Sequence, residues 1–255
     1  MFKSGLYPKS NHQLALISNC NIFRIVPDNY ITLTKWVVCI LLLIIASGWR
    51  PRITCIIHWY ISACFLNAVL DIDGGDEIIS NITLLFIPIL LLDNRKWHWQ
   101  HVTHFQYNTM TRLKNIFSNS VFYLIKIQVS VIYFQSAIGK LSVSQWINGT
   151  APYYWFNHPV FGMAAWLKPI FNPIITNNYG ALIISWSIMI FELVLALAIF
   201  IHKKYYKTLF IAAIIFHFFI IIIHGLFSFF FAMAGSLCIY FLIEYFEFKR
   251  CQNKK

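Results

Sequence analysis

Long apolar segments separated by short polar stretches make up most of the chain. Most of them approach the length of about 20 residues with which an α-helix crosses a bilayer. The pattern predicts spans at residues 33–48, 53–70, 78–92, 120–139 and 179–201. Residues 208–245 would form a helix of about 57 Å, too long for one crossing, and His224 and Gly225 provide the turn that divides them into two further spans.

Polar or proline-containing segments join these spans. Residues 93–119 are predicted to form a polar loop, and residues 140–178 an aromatic, proline-containing loop. Within the second loop, the apolar piece 160–175 is interrupted by Pro169 and Pro173, which predicts a re-entrant or interfacial segment. The fold class expected from this pattern is all-α, a polytopic membrane bundle of about seven transmembrane helices.

Composition and charge agree with a membrane protein. Hydrophobic residues make up 59% of the chain and charged residues 11%, which leaves no room for a separate soluble domain. The net charge of +11 does not indicate nucleic-acid binding, because the Lys and Arg residues lie between apolar segments. Thirteen of them fall on one predicted side and six on the other, which favours an N-out, C-in orientation. Residues 1–32 are then an extracytoplasmic tail, 33–246 the transmembrane domain and 247–255 a basic cytoplasmic tail.

Ionisable residues within or at the ends of the spans are candidates for function. Lys140 ends the fourth span, as either an anchor that extends to the headgroups or a group held near a site, and the residues alone favour the anchor. His217 and His224 share one helical face, about 10 Å apart along the axis. Glu192 lies about halfway along the fifth span, where an unpaired carboxylate costs about 3 kcal/mol. Because Lys126 lies at a similar depth, we expect Glu192 and Lys126 to form an ion pair.

Two polar clusters raise the question of metal binding. His98, His101 and His104 are spaced by three, but aromatic residues and histidines at a membrane interface are far commoner than metal ligands. Residues 71–77 contain four carboxylates, yet Ile82 stands where an EF-hand calcium loop requires glutamate. No metal site is predicted. The acidic segment is expected to be a solvated turn, with binding of a cation or of a basic precursor peptide as the alternative.

Four short motifs in the first half of the chain carry a resemblance. They are Gly48-Trp49-Arg50-Pro51-Arg52, His58-Trp59, Asp73-Gly74-Gly75-Asp76 and Arg95-Lys96-Trp97-His98-Trp99. In this order and spacing the chain closely resembles the sporulation-delaying protein B (SdpB) family. The resemblance implies a multi-pass membrane component of a peptide-toxin system, which acts with a small companion protein to turn a secreted precursor into active toxin. The family usually carries a further apolar segment before the region matching Asn19, so this chain is expected to be shortened or atypical there.

The second half of the chain carries a second resemblance. Residues 132–134, Gly139-Lys140-Leu141 and residues 146–149 are similar to the horizontally spread transmembrane (HTTM) domain, whose best-known relative is vitamin K-dependent gamma-carboxylase. This likeness implies that residues 33–246 are HTTM-like, that Lys140 matches a catalytic base, and that His217 falls in the family's own His and Phe pattern. A quinone-like cofactor is implied by the analogy alone. Carboxylation itself is not the expected reaction, because the 255 residues hold no large extramembrane domain for engaging substrates.

Together these observations predict a protein of the bacterial cytoplasmic membrane that helps to mature or export a toxin-like secreted peptide. The expected partners are the precursor peptide, the companion protein and membrane lipid. The candidate catalytic residues are Lys140, His217 and His224. The candidate substrate-binding residues, expected on the outer side, are Asp73, Asp76, Trp146, Tyr153 and Tyr154.

Two other functions fit the same sequence. The protein could be a non-catalytic scaffold that recruits the partner and the precursor, with Lys140 as an anchor. It could also be a small transporter or channel that uses Glu192, Lys126, His217 and His224 as a polar path. ATP-driven transport and zinc proteolysis have no support, because the sequence contains no Walker motif and no HExxH.

Overall fold

The computed structural model of the chain describes residues 20–68, 73–100 and 108–246. The chain divides into two compact units, Met1–Leu124 and Ile125–Lys255. The described residues are mostly helical and contain no β-strand, which confirms the all-α class. Among the described residues, the helices long and apolar enough to cross a membrane are Asp28–Ala46, Thr109–Leu141, Asn178–Phe200, Lys203–His224 and Phe227–Phe246.

The described residues of the first unit form a short helix α1 (Ile22–Ile25) and the longer helices α2 (Ile31–Ala46), α3 (Pro51–Leu66) and α4 (Gly74–Leu90). Helices α3 and α4 have 16 and 17 residues. They correspond to two of the predicted spans but are shorter than the about 20 residues of a typical crossing. The expected count of seven spans and the N-out orientation therefore stay predictions. The two tails also stay predictions, because residues 1–19 and 247–255 lie outside the described part of the chain.

Two of the family-like motifs contact each other in the first unit. The backbone N–H of Arg50 donates to the carbonyl of Lys96 at 2.7 Å, and that of His98 donates to the carbonyl of Gly48 at 2.8 Å. The indole Nε1 of Trp99 donates to the carbonyl of Ser47 at 3.0 Å. The turn between α2 and α3 is thus bound to the segment that follows α4, so the two motifs form one structural contact.

Helix α5 (Thr109–Leu141) is longer than predicted. Residues 109–119 belong to it, so the prediction of a polar loop as far as residue 119 is wrong for these positions. Asn108 begins the helix, because its side-chain Oδ1 accepts from the backbone N–H of Thr111 at 2.8 Å. Polar side chains do not prevent a helix outside the bilayer, and 33 residues reach about 50 Å. The boundary between the two units falls within this helix.

The second unit contains the rest of α5 and six further helices. These are α6 (Ser144–Ile147), α7 (Ala151–Phe156), α8 (Lys168–Ile175), α9 (Asn178–Ala196), α10 (Tyr206–His224) and α11 (Phe227–Leu237). A π-helical turn, Cys238–Leu242, continues α11. Gly225 ends α10 in the left-handed conformation with φ +69°, which confirms the predicted break in the last apolar run. The segment 140–178 is not a plain loop, because the short helices α6 to α8 lie within it.

Candidate functional site

One face of α5 carries a row of polar side chains through the second unit. Their spacing of three or four residues places them on the same side of the helix. The distance from the first to the last is about 21 Å along the axis. We call them the polar row, and its members are Lys126, Ser130, Tyr133, Ser136 and Lys140.

Lys140 ends the polar row in a partly buried ion pair. Its Nζ lies 2.9 and 2.7 Å from the two carboxylate oxygens of Glu192 and donates to Ser136 Oγ at 2.6 Å. Ser136 in turn donates to Glu192 Oε1 at 3.0 Å. The ring of Trp146 lies 5.3 Å from the same nitrogen, within the range of a cation–π interaction. The side chains of Lys140 and Glu192 are only 18% and 10% exposed, so Lys140 is not a lysine extended toward headgroups.

A second buried ion pair lies at the opposite end of the polar row. Lys126 contacts Glu244, and the other carboxylate oxygen of Glu244 lies 2.9 Å from Lys203 Nζ. The predicted pair of Lys126 with Glu192 is therefore wrong, and each residue has a different partner. The error is physical, because the Lys140 side chain runs back one turn along its own helix, where Nζ also lies 3.3 Å from the Ser136 carbonyl. Its charge thus lies one helical turn back from its own backbone, at the level of Glu192.

Tyr133 and His217 occupy the middle of the row. The Tyr133 hydroxyl oxygen lies 2.9 Å from His217 Nε2, and both residues are 2% exposed. The second ring nitrogen of His217, Nδ1, is buried and has no hydrogen-bond partner among the residues that the structure describes. A buried imidazole with one ring nitrogen unsatisfied is costly, which makes His217 a functional candidate on grounds other than sequence.

His224 has a different role from the other two candidate catalytic residues. Its Nδ1 lies 2.7 Å from the backbone carbonyl oxygen of Phe161, and its ring packs edge-on against Phe156. These contacts bind the end of α10 to the aromatic segment between α7 and α8. Within the described residues, no hydrogen bond joins His224 to Lys140 or to His217.

The candidate substrate-binding residues fall into both units. Trp146 contacts Lys140, whereas Tyr153 and Tyr154 are 45% and 61% exposed and pack edge to face on each other. Asp73 and Asp76 belong to the first unit. The Asp73 Oδ1 accepts from the backbone N–H groups of Gly75 and Asp76 at 2.7 and 3.0 Å, so this aspartate caps the N-terminus of α4.

The segment that carries Trp146 is fixed against α9. Trp186 donates from Nε1 to the Ile147 carbonyl at 3.2 Å. Gly149 has φ +82°, and a Cβ at this position would lie 2.6 Å from the Leu182 Cα. Only glycine allows this approach, so α6 and the turn after it are held close to the helix that carries Glu192.

Sequence reasoning missed several members of this site. Ser136, Tyr133 and Glu244 were not among the predicted residues, although Lys126, Tyr133 and Lys140 share a seven-residue spacing that indicates one helical face. Glu244 is a second acidic residue near the end of an apolar run and could have been weighed as the partner of Lys126. As for metals, the described residues contain no group of three potential ligands, and His101 and His104 lie outside them.

Comparison with known proteins identifies the family. No protein-family model matches the chain, and no solved structure is significantly similar to it. The chain is 34% identical over 206 residues to sporulation-delaying protein SdpB of Bacillus subtilis, which covers 81% of this chain and 62% of SdpB. It is also 34% identical over 224 residues to the uncharacterized protein YitO of the same organism, which covers 87% of this chain and 71% of YitO. The chain belongs to the SdpB family. The chain spans less than two thirds of the length of SdpB. The likeness to the HTTM domain stays a prediction.

Proposed function

We propose that this protein is the membrane component of an SdpB-like system in the bacterial cytoplasmic membrane, and that it matures a secreted precursor into an antimicrobial peptide toxin. We propose further that the Lys140–Glu192 pair is its reactive centre, with Lys140 as the base. Membership of the SdpB family supports the first part. The observation that carries the second part is the contact of both carboxylate oxygens of Glu192 with Lys140 Nζ.

The pair can supply a base because it can exchange a proton internally. Two opposite charges in a region of low dielectric constant are costly to bury, so transfer of the proton from Nζ to Glu192 produces a neutral amine and a neutral acid as an alternative state. The amine of Lys140 can then accept a proton from a substrate, while Glu192 retains the first proton and can later donate it.

The two ion pairs of the polar row differ in access to a substrate. The Lys140 side chain is 18% exposed, next to the Trp146 ring, whereas the Lys126 side chain is 6% exposed. Glu244 also contacts a second lysine, Lys203, so its negative charge is shared by two cations. We therefore assign the reaction to the Lys140 pair and a structural role to the Lys126 pair.

This assignment can be tested by comparing variants of the Lys140 pair with a variant of the Lys126 pair. The gene would be deleted in the host organism and replaced by the wild type, Lys140→Met, Glu192→Gln or Lys126→Met. Mass spectrometry of the secreted peptides and immunoblots of the membrane fraction would be the measurements. We expect Lys140→Met and Glu192→Gln to abolish the mature peptide even in membranes in which the immunoblot still detects the protein, while Lys126→Met retains the peptide.

Two outcomes would contradict the proposal. Normal maturation by Lys140→Met, together with loss of the product on deletion, would show a scaffold rather than an enzyme. A secreted peptide profile that deletion leaves unchanged would remove the maturation role altogether.

The polar row also supports a second candidate function, the movement of protons along α5. Its length of about 21 Å covers much of the hydrocarbon core of about 30 Å, and His217 provides a titratable ring at its middle. Purified protein in liposomes with a trapped pH-sensitive dye would test this. Proton movement is expected in the wild type and should be lost in His217→Phe, and an inactive wild type would exclude the function.

A further inference from the structure

The first unit contains a cavity of about 480 Å³ that is separate from the polar row. Helices α1 to α4 all contribute to its lining, and seven of the eleven lining residues are apolar. Both the size and the mixture of a mainly apolar wall with a few polar groups are typical of sites for small ligands. The body of a ligand bound here must therefore be hydrophobic.

Helix α1 contributes Phe23 to the lining and is firmly attached to α3. The Asn21 side chain is fully buried and donates from Nδ2 to the Cys64 carbonyl at 2.8 Å. The Tyr60 hydroxyl donates to the Cys20 carbonyl at 2.6 Å. Phe23 is 5% exposed and packs with Val38, Ile61 and Cys64 in the core of this unit. The cavity is thus part of an ordered core and not a gap between loosely packed helices.

The cavity opens along the side of α2. The lining residues Lys35, Cys39 and Leu42 are exposed and lie at positions i, i+4 and i+7, on one face of this helix. The opening therefore extends about 10 Å parallel to the helix axis. Because α2 belongs to a candidate membrane span of which only 11% is buried in the protein, a ligand can enter sideways from the bilayer.

The polar lining residues lie mainly toward one end of this opening. Lys35 lies in the second turn of α2 and Asp76 in the first turn of α4. The Asp76 carboxylate accepts a hydrogen bond from the backbone of Asp73, one of the several that its two oxygens can accept. A partly buried carboxylate with lone pairs left over favours a ligand that brings its own cation. The site thus combines opposite charges at a helix end with an apolar slot below them.

We propose that this cavity binds a zwitterionic phospholipid, with an ethanolamine ammonium at Asp76, its phosphate near Lys35 and an acyl chain along the slot. An ammonium group donates up to three hydrogen bonds to a carboxylate, whereas a quaternary choline head donates none. The site therefore selects phosphatidylethanolamine by its headgroup and accepts the lipid from the membrane. This binding does not depend on the function proposed for Lys140.

Photo-crosslinking of the full-length protein tests this site. The protein would be reconstituted in nanodiscs that contain a trace of phosphatidylethanolamine, phosphatidylcholine or phosphatidylglycerol with a photoactivatable acyl chain, and adducts would be mapped by mass spectrometry. We expect adducts at Cys39, Leu42 and Phe65, with phosphatidylethanolamine favoured by about tenfold, the equivalent of one charge-assisted hydrogen bond. Asp76→Asn should remove this preference.

Two matched cysteine variants separate the site from ordinary lipid contact. Cys39→Trp fills the slot and should remove the adducts at Leu42 and Phe65. Cys238→Trp alters an equally exposed free cysteine on an apolar segment of the second unit and should leave them unchanged. Equal labelling by all three lipids in the wild type would overturn the proposal, as would undiminished labelling of Cys39→Trp. Displacement of the label by a hydrophobic basic peptide, but not by excess phosphatidylethanolamine, would show a peptide groove instead.

Discussion

Glu192 binds the ammonium group of Lys140 with both carboxylate oxygens, at 2.9 and 2.7 Å, across the interface of α9 and α5. Both side chains are largely buried, so removal of either one leaves an uncompensated charge. The pair is therefore a structural contact as well as the proposed reactive centre. A test of the reaction must separate these two roles.

A double substitution separates stability from activity. Lys140→Met and Glu192→Met alone should each lower the free energy of unfolding by about 3 kcal/mol, because each leaves one buried charge without its partner. The combined variant should recover most of this loss, since two apolar side chains replace the pair, but it should stay unable to mature the peptide. Thermal unfolding in detergent and mass spectrometry of the secreted product are the measurements. A double variant that regains activity would show that the pair is structural only.

The hydrogen bond between Tyr133 and His217 is suited to a double-mutant cycle. Tyr133→Phe should cost about 1–2 kcal/mol of unfolding free energy, because it leaves the second ring nitrogen of a buried imidazole unsatisfied. His217→Phe removes both ring nitrogens, so adding Tyr133→Phe to it should cost little. The coupling energy from chemical unfolding should be about 1 kcal/mol. Strictly additive effects would mean that the two side chains do not contact each other.

The long apolar helices could be predicted from the sequence, whereas the pairing of polar groups between them could not. Hydrophobic periodicity places a helix along the chain but does not show which helix it contacts or at what depth a flexible side chain ends. For this reason backbone position alone pairs Glu192 with Lys126. The Lys140 ammonium instead extends back toward Ser136 and lies within hydrogen-bonding distance of Glu192.

Only part of the candidate site could be predicted, and the reason is different. Lys140 was singled out by its position and by a family resemblance, and His217 by its spacing from His224. The contacts of Tyr133, Ser136 and Glu244 depend on the rotation of α5 against its neighbours, which composition does not specify. The start of α5 was also missed, because polarity over residues 109–119 indicates exposure to water and does not distinguish a loop from a helix.

The ion pair of Asp93 with Arg95 should make the stability of the first unit depend on pH. Hydrogen bonds from the Arg95 side chain hold the pKa of Asp93 below its usual value, although burial acts in the opposite direction. Since the folded pKa lies below the unfolded value of about 3.9, the stabilisation is present above about pH 4 and is lost as the pH falls through the folded pKa. Asp93→Asn should therefore cost about 1 kcal/mol or less at pH 6 and a smaller amount at about pH 3. Unfolding of both proteins at the two pH values measures this, and an equal cost at both would contradict it.

Gly149 should be necessary for the position of Trp146 next to Lys140. Gly149→Ala places a Cβ 2.6 Å from the Leu182 Cα at a φ of +82°, so the turn must move away from α9. We expect a loss of about 1–3 kcal/mol in unfolding free energy and a lower yield of mature peptide. Gly235→Ala is the matched control, because its Cβ would have no atom within 4 Å and lies in a helix, where alanine is favoured by up to about 1 kcal/mol. If both variants matured the peptide as well as the wild type, the close packing of the Trp146 segment on α9 would have no part in the reaction.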